Sequence, residues 1–187
     1  MTPDPLRDAA IGALLARLPA GGWTRATLRQ AVTDSGQDAE LVASLFPRGV
    51  VSAIEAWSEL ADRRMAEAAA AEDLLALRTP ARIRRLIELR LGAVELDREA
   101  LRGALAILAL PWNAPLAARL MARSVSAIWY AAGDRSSDFS WYTRRATLAA
   151  VYGATLAFWM RPTRPEMAEV LGFLDRRLAE LPRPRRG

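Results

Sequence analysis

The sequence contains no cysteine and no histidine, and all 26 of its basic residues are arginine. Without cysteine there is no thiol nucleophile, no disulfide and no thiolate ligand. Without histidine there is no imidazole base, and a His/Cys metal site cannot form. A Ser-His-Asp triad and a Cys-His dyad are excluded within the chain. The lack of lysine removes a Schiff-base amine and a P-loop lysine. Catalysis would have to rest on carboxylates, tyrosine or arginine. Arginine remains well suited to binding phosphates and carboxylates.

Long apolar runs are missing too. The longest uncharged apolar stretch without a proline, residues 146–160, has 15 residues, short of the ~18–20 that span a bilayer and suited to a buried helix. The opening residues MTPDPLRD have neither a basic nor an apolar signal region, so a cytosolic protein is expected. β-Branched residues are sparse and strand alternation is absent, while alanine, leucine and arginine dominate. An all-α fold of about nine or ten helices is expected. With 187 residues and 52% hydrophobic content, one domain with a sizeable core is the natural size.

Charge is unevenly distributed. Residues 1–60 hold five Arg against seven Asp/Glu, or −2, and residues 61–187 hold 21 Arg against 14 acids, or +7. The first segment reads as a helix over 5–18 ended by Gly21-Gly22, then Trp23 and a Thr24 cap for a short helix over 25–33. A turn at 34–36 leads to a third short helix from about 38 to 46, stopped by Pro47. This is a helix-turn-helix rhythm. A long helix follows over roughly 50–76, and Thr79-Pro80 opens the next. Further helices are expected at about 98–109, from Pro115 to Gly133, from 137 or 138 to about 160, and at about 165–181.

The order helix, GGW, short helix, turn, short helix, long helix resembles TetR-type regulators, whose third helix enters the DNA major groove. Here that helix leads with Asp38 and Glu40. A −2 segment is badly suited to neutralising phosphates, so specific nucleic-acid binding is not expected.

Paired carboxylates occur at Asp134 and Asp138, and at Glu95, Asp97 and Glu99. A turn role for Asp134 and a cap for Asp138 explain the first pair without chemistry. The run Trp141-Tyr142-Thr143-Arg144-Arg145 reads either as a buried Trp with solvated Arg or as an interaction surface rich in Trp, Tyr and Arg. In the last helix Met167, Val170, Leu171, Leu174, Leu178 and Leu181 share an apolar stripe. Phe173 lies off that stripe, and Arg176, Arg177, Arg183, Arg185 and Arg186 add charge. Core packing would explain the stripe but not the off-stripe Phe; a helix lying in a membrane interface would explain both.

From Ala104 onward the motifs sharpen. Leu110-Pro111-Trp112-Asn113-Ala114-Pro115, the block from Trp129 through Arg145 (WYAAGDRSSDFSWYTRR), and Ala150 to Tyr152 stand in fixed register. They resemble the ubiquinone (coenzyme Q) biosynthesis accessory family of mitochondria and alphaproteobacteria. The resemblance implies a TetR-like fold that has lost DNA reading and binds lipid. It also implies a non-enzymatic role: presenting ubiquinone precursors to the pathway's di-iron demethoxyubiquinone hydroxylase at the membrane. Where eukaryotic members carry an acid three positions before the Trp, this chain has Ser126.

Sequence and resemblance together set the expectations. One all-α domain is expected, with a helix-turn-helix-like segment at 1–50, a lipid-binding core at 51–162 and an amphipathic helix and basic tail at 163–187. Leu105, Leu108, Met121, Val125, Leu148, Tyr152 and Leu156 are expected to line a pocket for an isoprenoid lipid; the same residues would also suit a plain core. Ile128, Trp141, Tyr142 and Arg145 are expected to dock the hydroxylase. Met167, Val170, Leu171, Phe173, Leu174 and Leu178 are expected to meet membrane lipids. No catalytic residue, metal or cofactor is expected, and a homodimer is. The location expected is cytoplasmic, peripheral on a bacterial inner membrane. The alternative function is a TetR-like regulator with a hydrophobic effector.

Overall fold

A computed structural model describes residues 4–134 and 139–180, with side chains described except at 139–141. Among the described residues there are nine α-helices, four short 3-10 turns and no strand. The helices are α1 (Pro5–Gly21), α2 (Arg25–Asp34), α3 (Val42–Leu45), α4 (Val50–Ala70), α5 (Thr79–Gly92), α6 (Arg98–Leu108), α7 (Ala114–Ala131), α8 (Phe139–Trp159) and α9 (Met167–Ala179). The chain packs as two compact units, Met1–Arg64 with Gly92–Leu120, and Met65–Leu91 with Met121–Gly187. Their boundaries fall inside α4 and α7 and at the last residue of α5.

In the first unit, side chains close the helix starts. The Asp4 carboxylate accepts from the Leu6 and Arg7 N–H groups, and Thr24 Oγ1 accepts from the Thr27 N–H. Each satisfies donors that the first helical turn leaves unpaired. Gly22, at φ 59°, ends α1 in a conformation that disfavours side chains. Ile11 and Leu14 of α1 bury with Leu28 and Val32 of α2, because these positions recur at helical spacing. The expected third helix proves shorter. A 3-10 turn at Ala39–Leu41, capped by Asp38, precedes the four residues of α3. Trp23 anchors the unit: its indole N–H donates to the Ala100 carbonyl at 2.9 Å, and its ring lies 5.8 Å from that of Trp57. Gly103 makes room for it, since a Cβ there would sit 2.8 Å from Trp23 Cδ1.

In the second unit, Ile83, Leu86, Ile87 and Leu91 form the buried face of α5, and Val125, Ile128 and Trp129 that of α7, with Ala132 buried just after it. α8 and α9 pack together. Arg82 ties the unit's irregular stretches down. Its guanidinium donates to the carbonyls of Leu74 (2.8 Å), Leu75 (3.1 Å), Leu77 (2.9 Å) and Ala132 (2.5 Å). A single rigid cation thus gathers four carbonyls from irregular stretches, that of Leu74 also accepting the Leu77 N–H. The expected helix over 50–76 ends at Ala70, and a separate 3-10 turn at Leu74–Ala76 carries two of the carbonyls that Arg82 collects. No single described helix is long and apolar enough to cross a membrane.

Candidate functional site

The expected lipid-lining residues divide between the units. Leu105 and Leu108 are half-buried on α6 of the first. The other five belong to the second: Val125, Leu148 and Tyr152 are buried, and Met121 and Leu156 half-buried. Leu148, Tyr152 and Leu156 recur every four residues and so share one face of α8. Gly153, beside them, leaves room for α7: a Cβ there would lie 3.7 Å from Met121 Cε. The result is an apolar pair of helix faces with Thr155 at its margin, whose hydroxyl donates back to the Val151 carbonyl at 2.8 Å and leaves no free donor.

The expected docking patch comes apart. Ile128 has no exposure and belongs to the second unit's core. Its place is set by helix period, since Val125, Ile128 and Trp129 fall on one stripe of α7. This corrects the expectation that it meets a partner. The Trp141 side chain lies outside the described residues. Tyr142 is 68% exposed, as a docking aromatic would have to be.

Arg145 is engaged within the chain. Its side chain is 13% exposed, and Nη1 donates to Asp134 Oδ2 at 3.3 Å. Arg144 lies 3.6 Å from the other Asp134 oxygen, and its guanidinium stands 5.7 Å from the Trp129 ring. Asp134 is therefore more than a turn residue. Its carboxylate, 8% exposed, joins the end of α7 to the start of α8 through two charge-assisted contacts. An acid closing one helix and an arginine pair opening the next are the signal in the sequence. The docking assignment of Arg145 obscured it.

The last helix is also corrected. Val170 and Leu174 have no exposure, so the centre of the apolar stripe faces protein. Met167, Leu171, Phe173 and Leu178 are half-buried. Phe173 stacks on Phe158 of α8, with ring centroids 4.5 Å apart and planes at 9°. The Arg177 guanidinium lies 5.4 Å from the Phe173 ring, and that of Arg161 4.6 Å from Phe158. Helix packing thus explains the off-stripe Phe that had argued for a membrane. The helix starts where the Glu169 carboxylate accepts from the Glu166 N–H at 2.9 Å. Arg183, Arg185 and Arg186 lie outside the described residues.

Electrostatics around these surfaces are structural. Hydrogen bonds from Arg85 hold the Glu72 carboxyl below the usual carboxylate range. Burial pushes Asp97 up, against the pull of Arg64. Among the described residues no group of three or more His, Cys, Asp or Glu side chains could hold a metal ion.

An all-helical chain with this order of elements is a protein of TetR-like fold. A crystal structure of the TetR transcriptional regulator from Nitrosomonas europaea ATCC 19718 matches it with a TM-score of 0.76 and 25% identity, covering 94% of this chain and 97% of that one. Within that fold class the COQ9 family model matches residues 114–183. The ubiquinone biosynthesis protein COQ9, mitochondrial, of Homo sapiens is 30% identical over 94% of this chain and 57% of its own length. That of Drosophila melanogaster is 29% identical over 95% of this chain and 55% of its own. The chain thus spans little more than half the length of these curated relatives. The resemblance drawn from Trp129–Arg145 and its flanking motifs is shown by these matches, whose relatives are named as ubiquinone biosynthesis proteins. The expected cytoplasmic site on a bacterial inner membrane is corrected, because the matched relatives are named as mitochondrial proteins.

Proposed function

We propose that the chain is a non-enzymatic, lipid-binding accessory protein of ubiquinone biosynthesis. It binds isoprenoid quinone precursors and presents them to the demethoxyubiquinone hydroxylase at the membrane, working as a homodimer. The observation that carries this reading is the COQ9 match over 114–183, which covers α7, α8 and α9. Those helices supply most of the apolar side chains proposed to meet the lipid. An isoprenoid tail asks for a long apolar face with few competing polar groups, and the shared face of Leu148, Tyr152 and Leu156 supplies one. The lack of histidine and cysteine supports a role in binding rather than chemistry.

Hydroxylase docking rests on Tyr142, with Arg145 and Arg144 as positioning residues that hold the start of α8 through Asp134. Tyr142→Ala should weaken hydroxylase binding by about 1–3 kcal/mol with an unchanged melting temperature. Titration calorimetry against the purified hydroxylase checks this, and wild-type affinity in the variant would remove Tyr142 from the interface. The membrane is met through Met167, Leu171 and Leu178 of α9, which keep partial exposure. Vesicle flotation of a Leu171→Asp/Leu178→Asp variant should show reduced recovery with anionic vesicles, and unchanged recovery would exclude this face.

A further inference from the structure

The first unit carries a groove that the ubiquinone reading does not use. It has a volume of about 490 Å³ and lies between α2, α3 and the turn before α4. That volume is within the roughly 300–1,000 Å³ typical of specific binding clefts. Val42, Ala43 and Pro47 form an apolar wall, and Arg25, Arg29 and Arg48 stand around it.

The arginines are the unusual part. Residues 1–60 contain five Arg among seven acids. Arg7 pairs with Glu59, Arg17 with Asp34, and Arg48 with Glu55. The other two are Arg25 and Arg29, and both line the groove. They are exposed and, among the described residues, neither forms an ion pair. They are four apart on α2 and so share a face, where like charges destabilise a helix. Gly49, at φ 60°, closes the groove beside them: a Cβ there would lie 4.0 Å from Arg25 Nε. An acid-rich segment has left its two unpaired cations side by side over an apolar wall.

We propose that this groove docks a short acidic peptide segment of a partner protein. One or two carboxylates would pair with Arg25 and Arg29, and a neighbouring apolar side chain would rest on Val42, Ala43 and Pro47. Guanidinium forks match carboxylates in just this way. A nucleic-acid duplex fits less well. It presents charge continuously along its axis, while Glu40 lines the same groove and the surrounding segment is net negative. The proposal does not depend on lipid binding by the second unit.

The test is fluorescence anisotropy with the full chain and a fluorescein-labelled peptide of alternating Glu and Leu pairs. Saturable binding is expected, weakened about tenfold or more by the double substitution Arg25→Gln/Arg29→Gln, as for loss of charge-assisted pairs. Arg119→Gln, on the exposed side of α7, should leave it unchanged. A peptide with Gln in place of Glu should bind wild type as poorly as the acidic peptide binds the double variant. That arm needs no variant and stands even if the double variant folds poorly. Absence of saturable binding, equal affinity for the Gln peptide, or competition by mixed-sequence duplex DNA at physiological salt would overturn the proposal.

Discussion

Asp134 shows how much one residue can organise. Its carboxylate is nearly buried and faces both Arg144 and Arg145. Removing one partner of a buried pair leaves the other desolvated and uncompensated. Asp134→Ala should therefore cost about 2–4 kcal/mol, less than a fully buried pair because Arg144 keeps part of its hydration. Urea denaturation measures it; a change within ~0.5 kcal/mol, the usual scale of a surface substitution, would mean that the pair is only a surface contact. Asp97 has the opposite electrostatic sign. Burial raises its folded pKa above the ordinary value of 3.8. Below 3.8 both states are protonated and no penalty arises. As pH rises through the unfolded and then the folded pKa, the unfolded state releases its proton first and stability falls. Asp97→Asn should accordingly raise the melting temperature at neutral pH, and the gain should vanish on acidification below 3.8. Thermal melts across that range check the sign.

At the level of elements, helix starts and stops were largely legible because local chemistry decides them. Thr24 caps α2, and Glu166 with Glu169 opens α9, each within a single turn of chain. What could not be read depends on partners distant in sequence. The stacking of Phe173 on Phe158 joins two helices, so periodicity within α9 showed Phe173 only as an anomaly. Phe173→Ala should cost about 2 kcal/mol through lost stacking and burial, and an unchanged melting temperature would return the residue to the membrane reading. Ile128 shows the converse. Its stripe with Val125 and Trp129 was visible in the sequence, and family resemblance drew it to the surface against its own period. Gly103 tests the packing of the first unit. Gly103→Ala places a Cβ against Trp23, so the indole must shift and its bond to the Ala100 carbonyl lengthen. Overpacking of this kind costs about 1–3 kcal/mol, and an altered tryptophan emission spectrum should accompany it.

At the scale of the whole molecule, the all-α class followed from composition and punctuation and the TetR-like fold from the resemblance of the N-terminal helix order, and both are shown. The candidate site was less legible, because an apolar lining and an apolar core have the same residue types. Burial alone does not separate Leu148 and Tyr152 as ligand contacts from Leu86 and Ile87 as core. Ligand occupancy does separate them. The most direct test of the lipid-binding account is therefore mass spectrometry of lipid extracted from the purified protein, wild type beside Leu156→Trp. The half-buried Leu156 can accept a larger ring at the lining with limited strain, within about 1–3 kcal/mol. The account predicts an isoprenoid quinone precursor in the wild type and its loss from a variant that still melts cooperatively. Wild-type protein free of isoprenoid lipid, or a folded Leu156→Trp variant that retains it undiminished, would contradict the account.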